Sequence, residues 1–220
     1  MKRLRLILLL LLVVIGVLLA FQLFENREPR YQGRSLTQWL EGYSDGVASV
    51  DDPNLRGRID ESRDAVRHIG TNAVPFLLKK LSARETPVER RLKKLAGSQS
   101  WIHFHFANRR PLAYLGFHIL GEEARGAAPA LARLTRHRDR EVRFFALESL
   151  QSLNLDAPAL LPTLLQIIHD PDPDIRSIAA QILSNLSPEE AEKAGVYHEF
   201  PELKLMSTHL PPTNAPIAGQ

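Results

Sequence analysis

DREVRFFALESL at residues 139–150 lies over DPDIRSIAAQIL at residues 172–183 with a constant offset of 33. Asp139 falls on Asp172, Glu141 on Asp174, Val142 on Ile175, Arg143 on Arg176, Ala146 on Ala179 and Leu150 on Leu183. The same offset joins Pro129 to Pro162 and, one unit earlier, Arg110 to Arg143 and Ala113 to Ala146. A period of this length is that of stacked helical hairpins. Stretches such as LGFHIL (115–120) and ALLPTLLQII (159–168) carry apolar residues on more than one side of a helix. One hairpin cannot hide them all, and a stacked neighbour can. The small residues Ala113, Ala146 and Ala179 mark equivalent seams of close helix approach.

The rest of the chain is read outward from this pair. The second unit pairs 109–120 with 127–135 through GEEARG, the third pairs 141–153 with 158–169, and the fourth opens with 173–186. SPEEAEKAG follows, where Ser187 and Glu190 have the spacing of a capping box on a last short helix. Upstream, 58–82 reads as the first hairpin: Gly70 stops one helix, Asn72 caps the next, and Pro75 stands in its first turn as Pro129 and Pro162 do in theirs. Pro75 to Pro129 spans 54 residues, 21 more than one period. The surplus is an insertion at 83–106 carrying Arg84, Arg90, Arg91, Lys93 and Lys94, then the alternation WIHFHF with Trp101, His103 and His105. Ahead of the stack, residues 25–57 read as a polar linker and an N-terminal capping helix, SLTQWLEGY. Ser35 and Gln38 form its capping box, and Trp39 is expected to plug the open end of the first hairpin. The solenoid is expected over 58–195, and the proline-rich 196–220 is expected to stay unfolded.

From Leu6 to Phe24 the chain reads LILLLLLVVIGVLLAFQLF, without a charge. Its 19 residues suffice for a helix across a bilayer core of about 30 Å. Lys2, Arg3 and Arg5 flank its N-terminal side and favour a cytoplasmic Met1 with the remainder exported. The reading is an uncleaved single-pass anchor, with residues 1–5 as its basic cytoplasmic end. A cleaved signal, giving a secreted chain, is the alternative.

The sequence holds no cysteine, which excludes disulfides, thiol nucleophiles and cysteine-ligated metals. A pI near 9.3 suggests polyanion binding, yet from Phe24 onward 25 basic residues face 25 acidic ones. Counterion release needs a basic face, and the body has no overall excess to build one, so nucleic acid is not an expected partner. His103 and His105 alternate on one face but lack a third ligand nearby. Asp170, Asp172 and Asp174 begin like a calcium loop, but Ile175 replaces its glycine and Gln181 its final glutamate. No phosphate-binding loop, nucleophile elbow or HExxH occurs. No catalytic residue, cofactor, metal or small-molecule substrate is therefore expected. Asp139, Arg143, Asp172 and Arg176 are read as a structural ladder: acids at helix N-termini, arginines reaching carboxylates or carbonyls of the neighbouring unit.

The 33-residue spacing, the D-x-x-V-R-x-x-A pattern of 139–146 and the proline near the start of each second helix resemble HEAT repeats, most closely the short bacterial type related to phycobilisome-lyase-like repeats. YQGRSLTQWLEGY followed by AVRHIGTNAVPFLLKKL is similar to bacterial membrane-anchored or exported HEAT-repeat proteins. The resemblance implies an all-α fold, a right-handed solenoid of about four hairpins behind one transmembrane helix. It also implies a non-enzymatic scaffold for a protein partner, tethered to a membrane through the segment from Leu6 to Phe24. Its binding surface is expected on the second helices and the insertion, with Arg84, Arg90, Arg91, Lys94, Trp101, His103 and His105 as candidate contacts. A lyase-like or chaperone-like accessory role is one alternative. Another is anion binding, to nucleic acid or lipid headgroups, through the basic insertion.

Overall fold

The computed structural model describes residues 28–48, 53–83 and 109–207, which form parts of two compact units, Met1–Phe76 and Leu77–Gln220. The segment from Leu6 to Phe24, the insertion from Arg84 to Phe106 and the residues after Ser207 lie outside the described residues. Among the described residues no helix is long and apolar enough to cross a membrane.

The first unit begins with a short antiparallel pair, β1 (Arg30–Tyr31) and β2 (Arg34–Ser35), beside which the described elements are helical as the all-α reading expects. Helix α1 (Leu36–Ala48) follows directly. Its capping box forms as the Ser35/Gln38 spacing predicts: Ser35 N–H donates to Gln38 Oε1 (2.9 Å) and Gln38 N–H to Ser35 Oγ (3.3 Å). Helix α2 (Pro53–Ile69) packs along α1 and starts five residues earlier than the sequence suggests. Gly42 makes the crossing close, since a Cβ there would lie 3.1 Å from Ser62 Oγ. Trp39 is buried in this unit, its indole N–H donating to the Tyr31 carbonyl (3.1 Å) and its ring covered by Arg34. Residues 28–35, expected as linker, are thus structured: the Tyr31 ring lies 4.2 Å from that of His68, and the Glu28 carboxylate accepts the Thr37 N–H. The unit boundary at 76/77 also moves α2, expected within the stack, into the N-terminal unit.

Helix α3 (Val74–Ser82) enters through a 3-10 turn, Gly70–Ala73. Asn72 sits inside that turn rather than capping the helix, a correction to the expected cap. In the second unit, α4 (Arg109–Leu120) and α5 (Ala128–Leu134) are joined by a second 3-10 stretch, Gly121–Ala127. Helices α6 (Arg140–Ser152) and α7 (Ala157–Ile167) form the next hairpin. Then α8 (Pro173–Leu186) and α9 (Pro188–Lys193) form the last, with Ser187 Oγ accepting the Glu190 N–H (3.4 Å). First helices end at residues of positive φ, Gly121 at +52° and Asn154 at +48°, which are one period apart. Glycine reaches this conformation freely, and asparagine tolerates it better than most residues. Pro162 departs from expectation. It lies inside α7 because that helix begins a turn early with Pro158 near its start, whereas Pro129 occupies the first turn of α5.

The expected unfolded tail is also corrected. Val196–Glu199 (α10) and Pro201–Ser207 (α11) are helical, and α11 packs against α8 with Val196 and Leu203 buried. Proline opens α9 and α11, where a missing N–H is harmless, so a composition that reads as disorder here starts short helices.

Ala113, Ala146 and Ala179 are fully buried, in keeping with their reading as seam residues. Gly116 makes a still closer contact in the same unit: a Cβ there would fall 2.6 Å from Leu77 Cδ2, on a leucine with no exposed surface. Ala146→Leu should lower stability by about 1–3 kcal/mol through overpacking of the α6 seam. A thermal melt with an unchanged midpoint would refute this seam assignment.

Candidate binding surface

The turns before the first helices carry the polar framework of the second unit. Arg143 donates from Nε to Asp170 Oδ2 (2.7 Å) and from Nη2 to Asp170 Oδ1 (2.9 Å). Both groups are largely buried, at 12% and 6% side-chain exposure. Arg143 Nη1 also donates to the carbonyls of His137 (3.2 Å) and Arg138 (3.4 Å), so one guanidinium joins its own turn to that of the next unit. Asp170 Oδ1 accepts the Asp172 N–H (2.9 Å), and Asp172 in turn caps α8 by accepting from Asp174 N–H (3.1 Å) and Ile175 N–H (3.2 Å). Arg176 repeats the pattern: Nη1 donates to the Asp170 and Pro171 carbonyls (2.9 and 3.3 Å), while Nε pairs with Glu199 of α10 (2.8 Å). Asp139 and Asp172 cap α6 and α8 and also accept from Arg110 (2.7 Å) and Arg140 (2.6 Å) of the preceding repeat, while Arg143 reaches the Asp170 carboxylate of the following one.

The pairing differs from one repeat to the next, and the difference has a cause in the sequence. His137 stands one period before Asp170, and its Nδ1 accepts the Asp139 N–H (3.1 Å) as Asp170 accepts that of Asp172. An imidazole nitrogen serves the turn but offers no carboxylate to an arginine, so Arg110 reaches on to Asp139 and Glu141. In the following unit Asp170 holds Arg143, which leaves Asp172 and Asp174 to Arg140, both at 2.6 Å. The Arg140 guanidinium holds the Asp172 carboxyl below, and is itself held above, the usual range. At the other end of the hairpins, Arg125 donates to the Leu153 and Asn154 carbonyls (3.4 and 2.6 Å).

Aromatic rings cluster on the first helices: Phe144 meets Phe145 edge-on at 5.0 Å, and Tyr114 lies 6.5 Å from Phe145 and 5.8 Å from His118. Glu148, one turn along α6 from both phenylalanines, is half-buried, and desolvation pushes its carboxyl above the usual range.

The second helices contrast with this framework. VPFLLKKLS, APALARL and APALLPTLLQI contain no carboxylate, nor do the turns that continue the last two as far as Arg138 and His169. Pro129 and Pro162, Arg133 and Gln166, Arg136 and His169 are period mates, and all six are exposed. Arg136 bridges α5 to the α7 side by donating to Gln166 Oε1 (3.3 Å). Half-buried Leu134, Leu161 and Leu165 belong to the same two helices. Among the described residues no carboxylate pairs with Arg133, Arg136 or Arg138. The contact residues expected in the insertion, Arg84, Arg90, Arg91, Lys94, Trp101, His103 and His105, lie outside the described residues. Arg133 and Arg136 were not singled out by spacing alone. The signal available for them was the acid-free composition of α3, α5 and α7, which α9 with Glu189, Glu190 and Glu192 does not share.

No group of metal-binding side chains occurs among the described residues. Asp170, Asp172 and Asp174 are each committed to an arginine. Residues 125–194 match the family model for HEAT repeats, which covers α5 to α9 and supports a HEAT-repeat assignment for the stacked hairpins. No curated protein and no solved structure matches the chain.

Asp170→Ala should cost about 3–5 kcal/mol, because it strands a buried guanidinium. Asp174→Ala, at an exposed pair, should cost less than about 1 kcal/mol. Equal midpoints in urea for the two variants would refute the central role of Asp170. Glu148 gives a pH test. A carboxyl raised in the folded state contributes stability below its unfolded pKa and loses it as pH rises through the folded pKa. Glu148→Gln should therefore raise the melting temperature at neutral pH and lose that gain near pH 4, the unfolded carboxylate range.

Proposed function

We propose that the chain is a non-enzymatic scaffold that presents the second helices of its stacked hairpins to a protein partner. Support comes from the match to HEAT repeats over 125–194, since such repeats commonly mediate protein–protein interaction. The observation that carries the reading is the asymmetry of charge. Arg110, Arg140 and Arg143 are paired with the carboxylates of the turns before α6 and α8 and of those helices' first residues, whereas the exposed arginines of α5 and its turn have no carboxylate among the described residues. Surfaces that pair internally are framework. A face with unpaired cations beside half-buried leucines is where desolvation on binding has something to gain.

The finer reading places a right-handed solenoid outside a membrane, held by an uncleaved anchor from Leu6 to Phe24. Its motivation is the uncharged 19-residue run behind a basic flank.

Photo-cross-linkers placed at Pro162 and Gln166 should give one stoichiometric protein adduct from intact membranes, and those at Phe144 and Glu148 should give none. Adducts only from the first-helix positions, or turnover of a small substrate by the isolated chain, would overturn the scaffold reading. Retention in the membrane pellet after alkaline extraction checks the anchor, and release of a shortened chain points to cleavage.

A further inference from the structure

We infer that the face formed by α5, its following turn and α7 takes an extended acidic peptide segment with interspersed apolar residues. This deepens the scaffold reading and rests on it. Arg133 and Arg136 stand one helical turn apart, both exposed, and Arg138 follows in the turn. Their neighbours Arg140 and Arg143 are consumed by Asp172, Asp174 and Asp170, so the chain itself separates structural arginines from these three. The bond from Arg136 to Gln166 is to a neutral amide, and a carboxylate can displace it with a stronger, charge-assisted partner.

The remaining chemistry of the face selects the class of ligand. Pro129 and Pro162 are exposed and present no N–H, and Leu134, Leu161 and Leu165 are half-buried. Such a surface offers apolar contact between its cations. An extended peptide sends alternate side chains to opposite faces, so carboxylates on one face can meet Arg133 and Arg136 with apolar residues set among them. Nucleic acid fits less well. Its charges recur every few ångströms, whereas these three arginines are followed at once by the carboxylates of Asp139 and Glu141.

The test uses the full chain in detergent and a fluorescein-labelled peptide of repeated Glu-Ser-Leu-Ser, whose acids and leucines share one face when extended, followed by anisotropy. Saturable binding should weaken about tenfold in the Arg133→Glu/Arg136→Glu variant and fall as salt rises. Arg133→Gln/Arg136→Gln should give an intermediate loss, which guards against misfolding of the charge-reversed variant. Arg67→Glu, on the exposed side of α2, should bind as the parent does, and all variants should keep the parent melting temperature. Equal binding by parent and double variant, absence of saturable binding, or equal competition by single-stranded DNA would overturn the proposal. If the peptide fails while cross-links at Pro162 and Gln166 persist, the acidic class alone falls. If both fail, the scaffold reading falls with it.

Discussion

The Arg143 guanidinium and the Asp170 carboxylate meet through two hydrogen bonds in a place that little water reaches, and the second unit is arranged to make that tolerable. Burying two charges costs several kcal/mol each unless the remaining polar atoms are also satisfied. Here they are. Arg143 adds two carbonyls of its own turn, and Asp170 adds the Asp172 N–H. Because the pair joins the turn before α6 to the turn before α8, it fixes the step between hairpins more sharply than apolar packing does. Leucines and alanines tolerate sliding, and a two-pronged guanidinium does not.

The period is not copied uniformly, and the differences show how the constraint is met when one component changes. With His137 in place of an aspartate, Arg110 moves to the next acids along. For Arg176 the carboxylate comes from Glu199 on the short helix α10. Helices α10 and α11 thus extend the ladder and bury Val196 and Leu203.

Much of this architecture was legible. The overlay of 139–150 on 172–183 contains the helix starts, the seam alanines and the ladder residues, because a repeat prints its packing constraints once per period. What was misread depends on context that a local pattern lacks. The 33-residue rule assigned Pro162 to a first turn, but Pro158 starts that helix sooner. Residues 196–207 look like tail because short proline-led helices have no periodicity of their own and gain stability only from the helix they cover. The individual arginine partners were not legible, because the reach across units, from Arg140 to Asp172 and from Arg143 to Asp170, depends on the spacing of the stacked turns and not on the sequence within one turn.

The division between framework and binding face follows from the same electrostatics. An arginine whose carboxylates are fixed within the fold cannot turn to a partner without leaving those acids unpaired, and at Asp170 the stranded acid would be buried. Arg133 and Arg136 carry no such obligation, and pairing them with an incoming carboxylate leaves nothing inside the fold unpaired. Selection of a partner by charge is therefore possible only where the repeat omits its own acids. In this chain that omission falls on α5 and α7, whose half-buried leucines supply the apolar contact that a salt bridge alone, screened at the surface, would not provide.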